Sequence, residues 1–322
     1  MEKNPYIVRM NHPEDCICVH GSSAGPLEVR DITEPVDFTL KNEITCMIFH
    51  QVEEAKDDIE CHAHTRGTET FIPVSGKMEI TCNGYHTIME PGDIIHMEPY
   101  MGHSFRAVEP GSSMLCLFQG FNMIKLMEDI RAARALEPDI MQNPDFHEQY
   151  LTVANKILRK VPAPIEVPKD QIPCLYEEGK GQYEYNAPGI RLLLKIGKWQ
   201  TAGQREMWEA DMKKGVKITW NRRYPDFRLF HIRGGKIELT VDNNTYIVDE
   251  EAIIHIPPFH AFAIKALEDS VVYDLDCSEN MAGFLEDLGD ISEAVWPEND
   301  EYFNELISKF RISVSSYEYK PE

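Results

Sequence analysis

Basic residues are scarce in this sequence. Only 32 lysines and arginines stand against 54 aspartates and glutamates, which leaves a formal net charge of −22. Phosphate backbones are held by basic faces, so no nucleic-acid partner is expected, and an anionic membrane surface is disfavoured for the same reason. No run of about 18 apolar residues occurs, so no membrane-spanning segment is expected either. The opening MEKNPYIVRMNHPEDC lacks the apolar core of a secretory signal, and a cytoplasmic location is the expectation. Zinc-type CxxC pairs are missing as well. The eight cysteines are scattered, with Cys16 and Cys18 the only close pair, which fits reduced thiols better than a disulfide framework.

What the sequence does contain is an internal repeat. At an offset of 159, CHAHTRGTETFIPVSGKMEI at position 61 falls on WNRRYPDFRLFHIRGGKIEL at position 220. Gly76 meets Gly235, Lys77 meets Lys236 and Glu79 meets Glu238; the same offset lays DIIHMEP on AIIHIPP, so His96 meets His255. A two-residue deletion then brings His103 onto His260. Continuity of register matters more here than any single identity, and it divides the chain into two copies of one unit. The proline-rich VPAPIEVPKDQIP between them suits an extended linker. The expected boundary lies near Pro162, giving domains 1–161 and 162–322.

Both copies open with short segments rich in β-branched and aromatic residues, separated by Gly, Pro and Asn. In the first these are LEVRDI, EITCMIFHQV, TFIPVSG, KMEITCNG, YHTIMEPGD and HSFRAV; in the second, IRLLLKIG, VKITWNR, FRLFHIRGG, KIELTVDNN, TYIVDEE and VVYDLD. Such spacing predicts strands of a sandwich or small barrel. Helices are expected after each set, over Met123 to Leu136 and Asp145 to Lys160, then over Met281 to Leu288 and Asp300 to Phe310. Met123, Leu126, Met127, Ile130 and Ala133 make a 3.6-period stripe, which reads as a packing face.

One cluster carries chemistry. Alternate side chains of a strand share a face, so His62 and His64 point the same way. A turn through Arg66-Gly67-Thr68 returns Glu69 to that face, and His103, thirty-nine residues after His64, completes the set. Three imidazoles and a carboxylate suit one divalent first-row metal: Fe, Mn, Ni, Co or Zn. Four protein ligands leave one or two positions open, as catalysis requires.

Residues 62–76 follow the order HxH, four residues, Glu, six residues, Gly, and residues 84–103 add Gly84, a Pro91-Gly92-Asp93 turn and a histidine at a strand start. In this the chain resembles the cupin superfamily, and the duplication resembles a bicupin. Glu98 and Tyr100 stand where the second motif usually has proline and glycine, and Ala107 where it has asparagine. The resemblance implies a mainly β fold of two tandem double-stranded β-helix (jelly-roll) barrels with helical extensions. It also implies a metal on His62, His64, Glu69 and His103 in the first barrel, and often a homodimer.

In the second copy His62, His64 and Glu69 are replaced by Asn221, Arg223 and Arg228, and only His260 matches. Arginine stays protonated and does not ligate a cation, so the second barrel is expected to hold no metal. Arg223, Arg228 and His260 are candidates for binding an anion. A barrel that provides stability or an oligomer face is the first expectation, and internal bridges from the arginines to Asp274 or Asp276 are a further alternative. Arg66 and Arg106 are candidates for steering an anionic substrate, and Glu98 and Glu69 for acid–base roles. Met47, Phe49, Phe71, Met78, Met97, Phe105 and Phe118 are candidates for pocket walls.

The expected function is that of a metal-dependent enzyme on a small organic molecule, with dioxygenase-type chemistry first. The ligand set resembles that of quercetin dioxygenases and oxalate decarboxylases. Isomerase, lyase or decarboxylase chemistry without oxygen is one alternative, and a non-catalytic small-molecule-binding cupin is another.

Overall fold

The computed structural model describes residues 6–10, 17–20, 27–31, 45–52, 61–120, 129, 132–159, 163–221, 227–289 and 301–320. Side chains are described in all of these except 17–52 and position 141. The chain folds as two compact units, one over Pro13–Glu178 and the other over Gly179–Glu322 together with Met1–His12.

Each unit is a pair of antiparallel-rich sheets with the same order. In the N-terminal unit one sheet runs Lys156–Leu158, His62–His64, His103–Ala107, Met78–Cys82, Tyr85–Met89, Ile165–Glu166. The other runs Leu175–Tyr176, Ile94–Met97, Thr68–Ser75, Ser113–Gln119, Thr45–Val52, Leu27–Asp31, Ile17–His20. The C-terminal unit repeats the scheme. Its smaller sheet runs Val314–Tyr319, Val216–Trp220, Phe262–Ala266, Lys236–Val241, Asn244–Asp249, and its larger one has Arg228–Gly234 and Ser270–Cys277 at the centre. This is the mainly β, two-barrel architecture that the repeat implied. Two apolar cores fill it, one around Phe71, Met78, Ile80 and Phe105, the other around Trp208, Trp220, Phe230 and Phe262.

Local chemistry fixes the hairpins. Gly76 and its counterpart Gly235 both have positive φ, +66° and +82°. A Cβ at Gly76 would stand 2.4 Å from the Ser112 hydroxyl, and one at Gly235 2.5 Å from the Asp269 carbonyl. The turn between Lys236–Val241 and Asn244–Asp249 places Asp242 and Asn243 at φ +44° and +75°, the two-residue arrangement that suits strand twist.

Three expectations need correction. The boundary falls at Glu178/Gly179 rather than near Pro162, because Ile165–Glu166 and Leu175–Tyr176 still pair with strands of the N-terminal unit. The chain's first described strand, Ile7–Arg9, pairs instead with Ala252–Ile256 of the C-terminal unit, where Ile7 is buried. Leu175–Tyr176 holds the equivalent edge of the other barrel, against Ile94–Met97. Finally, the helix expected to reach Lys160 covers Pro144–Val153 only. Asn155 turns into the left-handed region at φ +52°, and Lys156–Leu158 becomes a strand beside His62–His64. Helices Met281–Leu288 and Glu301–Phe310 form as expected. Of the stretch from Met123 to Leu136, residues 123–128 and 130–131 lie outside the described residues, as does Arg223, and the side chains of Met47 and Phe49 are not described. Among the described residues Cys61, Cys82, Cys116, Cys174 and Cys277 are reduced thiols.

One buried acid in the C-terminal unit makes stability depend on pH. Glu206 is 1% exposed, and its Oε2 accepts from Trp208 Nε1 at 3.0 Å and Ala282 N at 3.1 Å. Burial, the largest influence, pushes its carboxyl up to about 7 against those hydrogen bonds. Between the usual 4.5 and about 7 the unfolded chain has released this proton while the folded chain keeps it. The unfolded state then binds fewer protons, so stability falls as pH rises through that window, by about 3 kcal/mol in all. Glu206→Gln keeps an acceptor for both donors and never ionises. Urea unfolding at pH 5 and pH 8 should show the wild type losing stability relative to this variant as pH rises. Equal slopes for the two proteins would contradict the buried, protonated acid.

Candidate metal centre

His62 and His64 lie two apart on a three-residue strand and so share its inner face. Both flanks of that strand are paired. His103 sits across from His62, and Lys156 and Leu158 sit across from His64 and His62. Glu69 enters from the other sheet, on Thr68–Ser75, between Met97 and Phe118. All four candidate ligands are buried, at 1–4% exposure. One ligand atom from each lies within 4.8 Å of all the others. The imidazole rings of His62 stand 4.5 Å from His103 and 5.0 Å from His64, centroid to centroid.

The hydrogen-bond pattern states what the cluster holds. His103 Nδ1 donates to the Met101 carbonyl at 2.8 Å, and His64 Nδ1 donates to the Ala154 carbonyl at 3.3 Å. A carbonyl only accepts, so both protons sit on Nδ1. The Nε2 atoms of these two rings then face Glu69 Oε2 at 2.8 and 3.0 Å. In neutral imidazoles that sets lone pairs against a carboxylate, which a cation between them relieves. Burial first, then the Lys156 charge, pushes His62 down to about 2. A neutral imidazole with a free lone pair is what a metal ligand must offer. The residues fit a divalent first-row ion, and the outer Nδ1–carbonyl bonds orient two of the rings.

Other candidates fall elsewhere. Arg106 lies on the outer face of its strand, alternating with inward His103 and Phe105, and its guanidinium pairs with Glu79 on the neighbouring strand. That position does not serve a substrate at the metal. Arg66 is exposed in the turn. Glu98 follows the strand end at Met97; among the described residues its carboxylate has no hydrogen-bond or ion-pair partner. Phe71 and Phe118 do line the cluster, 5.8 Å from His103 and 6.2 Å from His64. His96 is buried, bonded to Thr70 Oγ1 at 2.8 Å.

In the C-terminal barrel Arg228 is spent on internal bridges. Nε and Nη2 reach Asp274 Oδ2 at 3.0 and 2.5 Å, and Nη1 reaches Glu279 at 2.9 Å. This replaces the anion-binding expectation for Arg228, since two acids already neutralise it. His260 Nε2 lies 3.5 Å from Asp242, and Nδ1 donates to the Pro258 carbonyl. Among the described residues the His62–His64–Glu69–His103 group is the one cluster spaced to hold an ion.

Lys156 was not anticipated. Cross-strand partners share a face, so its position opposite His64 puts it on the ligand side of the sheet. Its charge acts on both His62 and His64, and its Nζ donates to Tyr150 Oη at 3.3 Å. Its place inside a stretch that looked helical hid it.

The comparisons with known proteins agree with this geometry. Residues 49–118 match the family model described as a cupin domain. No curated protein matches the chain. Among solved structures, a tryptophan-to-phenylalanine variant of Bacillus subtilis oxalate decarboxylase shares the fold at 16% identity and a TM-score of 0.51, covering 86% of this chain and 78% of that one. A structure of the same B. subtilis enzyme concerned with its Mn(II) centres matches at 15% identity, with the same TM-score and coverage. A third, concerned with its substrate binding mode and reaction specificity, matches at 16% identity with a TM-score of 0.51, again over 86% of this chain and 78% of that one. Residues 49–118 thus match a cupin domain and carry a complete three-histidine, one-glutamate cluster, in a chain that shares the two-barrel fold of these structures.

Proposed function

We propose that the protein is a divalent-metal enzyme that acts on a small carboxylate and cleaves the bond next to it without consuming oxygen. The observation that carries this reading is the Lys156 ammonium on the same sheet face as the ligands. It offers a counter-charge for a carboxylate within reach of the cluster. A bound metal would supply a Lewis acid that polarises a chelating substrate. Phe71 and Phe118 keep the surroundings apolar, which strengthens a Lys156–carboxylate pair.

Loss of carbon dioxide from a carboxylate leaves its carbon in need of one proton. Glu98, unpaired among the described residues and next to the strand position that pairs with Glu69, is our assignment for the donor. The fold shared with oxalate decarboxylase supports decarboxylation over dioxygenation, which would use the same four ligands. The same proposal includes a cytoplasmic homodimer.

Metal-loaded protein should release carbon dioxide from a small carboxylate such as oxalate with no oxygen uptake. Stoichiometric oxygen uptake across a panel of oxalate, gentisate, flavonols and β-diketones would return the reading to a dioxygenase. With the active substrate in hand, Lys156→Met should raise KM at least about tenfold with metal content unchanged. Glu98→Gln should leave KM in place and lower kcat roughly 10²–10⁴-fold. A Lys156→Met enzyme with wild-type KM would remove the carboxylate anchor.

A further inference from the structure

We propose that the C-terminal barrel is a second binding site, for a small neutral molecule with an apolar body and one hydroxyl group. Its interior contains a partly open apolar cavity, with about 790 Å³ of empty space when the solvent at its mouth is counted. Trp208, Met212, Ile264, Met281, Leu285 and Val314 are among the residues that line it, and its walls are almost wholly carbon. Arg228, the counterpart of Glu69 in the repeat, is also at its wall, so the cavity occupies the part of this barrel where the other carries its metal ligands.

Among the described residues, two polar atoms that belong to residues of this wall have no hydrogen-bond partner. Trp220 is 5% exposed, and its Nε1 is buried with no hydrogen-bond partner. Phe262 stacks on its ring at 4.5 Å, and the Arg228 guanidinium lies 5.5 Å from it, so the indole is held in place. Asp274 gives Oδ2 to Arg228, while its Oδ1 is buried with no partner. Both residues line the cavity. Buried polar atoms without partners are costly and uncommon in folded proteins. Here one is a donor and the other an acceptor.

Charge and hydrogen-bond capacity define the ligand. An anion is disfavoured, because Asp274 and Glu279 together outweigh the single charge of Arg228. An ammonium would satisfy Asp274 and leave the indole N–H unmet. A hydroxyl has both capacities, a lone pair to accept from a donor such as Trp220 Nε1 and a proton to give an acceptor such as Asp274 Oδ1. A water has the same capacities but leaves the carbon-lined remainder empty. An apolar body on the hydroxyl fills it.

The test uses the metal-loaded full-length protein and three probes of one shape: 4-ethylphenol, 4-ethyltoluene and 4-ethylbenzoate. Isothermal titration calorimetry should give one site per chain for 4-ethylphenol, with the toluene at least tenfold weaker and the benzoate weaker still. All four tryptophans, at 199, 208, 220 and 296, belong to the C-terminal unit, so binding should also change intrinsic fluorescence. Trp220→Phe should weaken 4-ethylphenol about tenfold, bringing it near the toluene. Ala210→Leu, which fills the cavity from a different strand, should abolish binding while circular dichroism and metal content stay as in the wild type. Failure of 4-ethylphenol to bind, or binding that Ala210→Leu leaves unchanged, would overturn the site. So would 4-ethyltoluene or 4-ethylbenzoate binding as tightly as the phenol.

Discussion

His103→Ala should empty the N-terminal barrel of metal. Purified protein, loaded with Mn(II) or Fe(II) and desalted, should fall from about one ion per chain to a small fraction of that. Loss of a supporting contact to a metal ligand already costs roughly 10–100-fold in affinity, and loss of a ligand itself costs at least as much. Geometry makes His103 the sharpest probe. Its Nε2 is the closest nitrogen to Glu69 Oε2, at 2.8 Å, and it bridges the strand of His62 and the body of the sheet. His260→Ala is the matching control. It alters the equivalent residue of the other barrel, which pairs with Asp242 and the Pro258 carbonyl, and should leave metal content untouched. Metal content that survives His103→Ala, with circular dichroism intact, would remove the ligand assignment.

That cluster was legible because the period of a strand is short and local. HxH on one strand has only one way to place both rings on one face, and His103 stood out by its spacing and by its place at a strand start after the Pro91-Gly92-Asp93 turn. Lys156 was not legible, for an equally local reason. The run from Asp145 keeps helical spacing past Val153, and nothing nearby except Asn155 marks the stop. Asn155 accepts the left-handed backbone more readily than most residues, and the three residues after it then find an open sheet edge at His62–His64. The edge strands Ile7–Arg9 and Leu175–Tyr176 were out of reach altogether. Each is two or three residues long, and their partners in the sheets are distant in sequence or fixed only once a barrel exists. Choosing between Asp274 and Asp276 was likewise beyond spacing. The two share a strand face in an ideal ladder, but the register shifts between Glu206 and Trp208 opposite them. Asp274 goes to Arg228 and Asp276 to Arg205.

Arg228→Met should destabilise the C-terminal unit by about 3–5 kcal/mol, the usual cost of breaking a buried pair by removing one partner. Arg228 is 2% exposed, Asp274 9% and Glu279 6%. Without the guanidinium, two carboxylates remain in a barrel lined with carbon, and each must either stay charged without a partner or take up a proton on folding. The pair's own attraction is not what the number measures, because desolvation offsets much of it. The triple variant Arg228→Met, Asp274→Leu, Glu279→Gln separates these contributions. It removes all three charges, while the amide oxygen introduced at position 279 can still accept from the Ser313 N–H, as Glu279 does now. Urea unfolding followed by tryptophan fluorescence reports this unit alone. The triple variant should recover most of the stability that Arg228→Met loses. If the triple variant is as unstable as the single one, the loss lies in packing of the arginine against Trp220 and Phe230, not in orphaned charge. If Arg228→Met is neutral, the bridge is not closed in solution. The guanidinium would then be available to an outside anion, as its alignment with Glu69 first suggested.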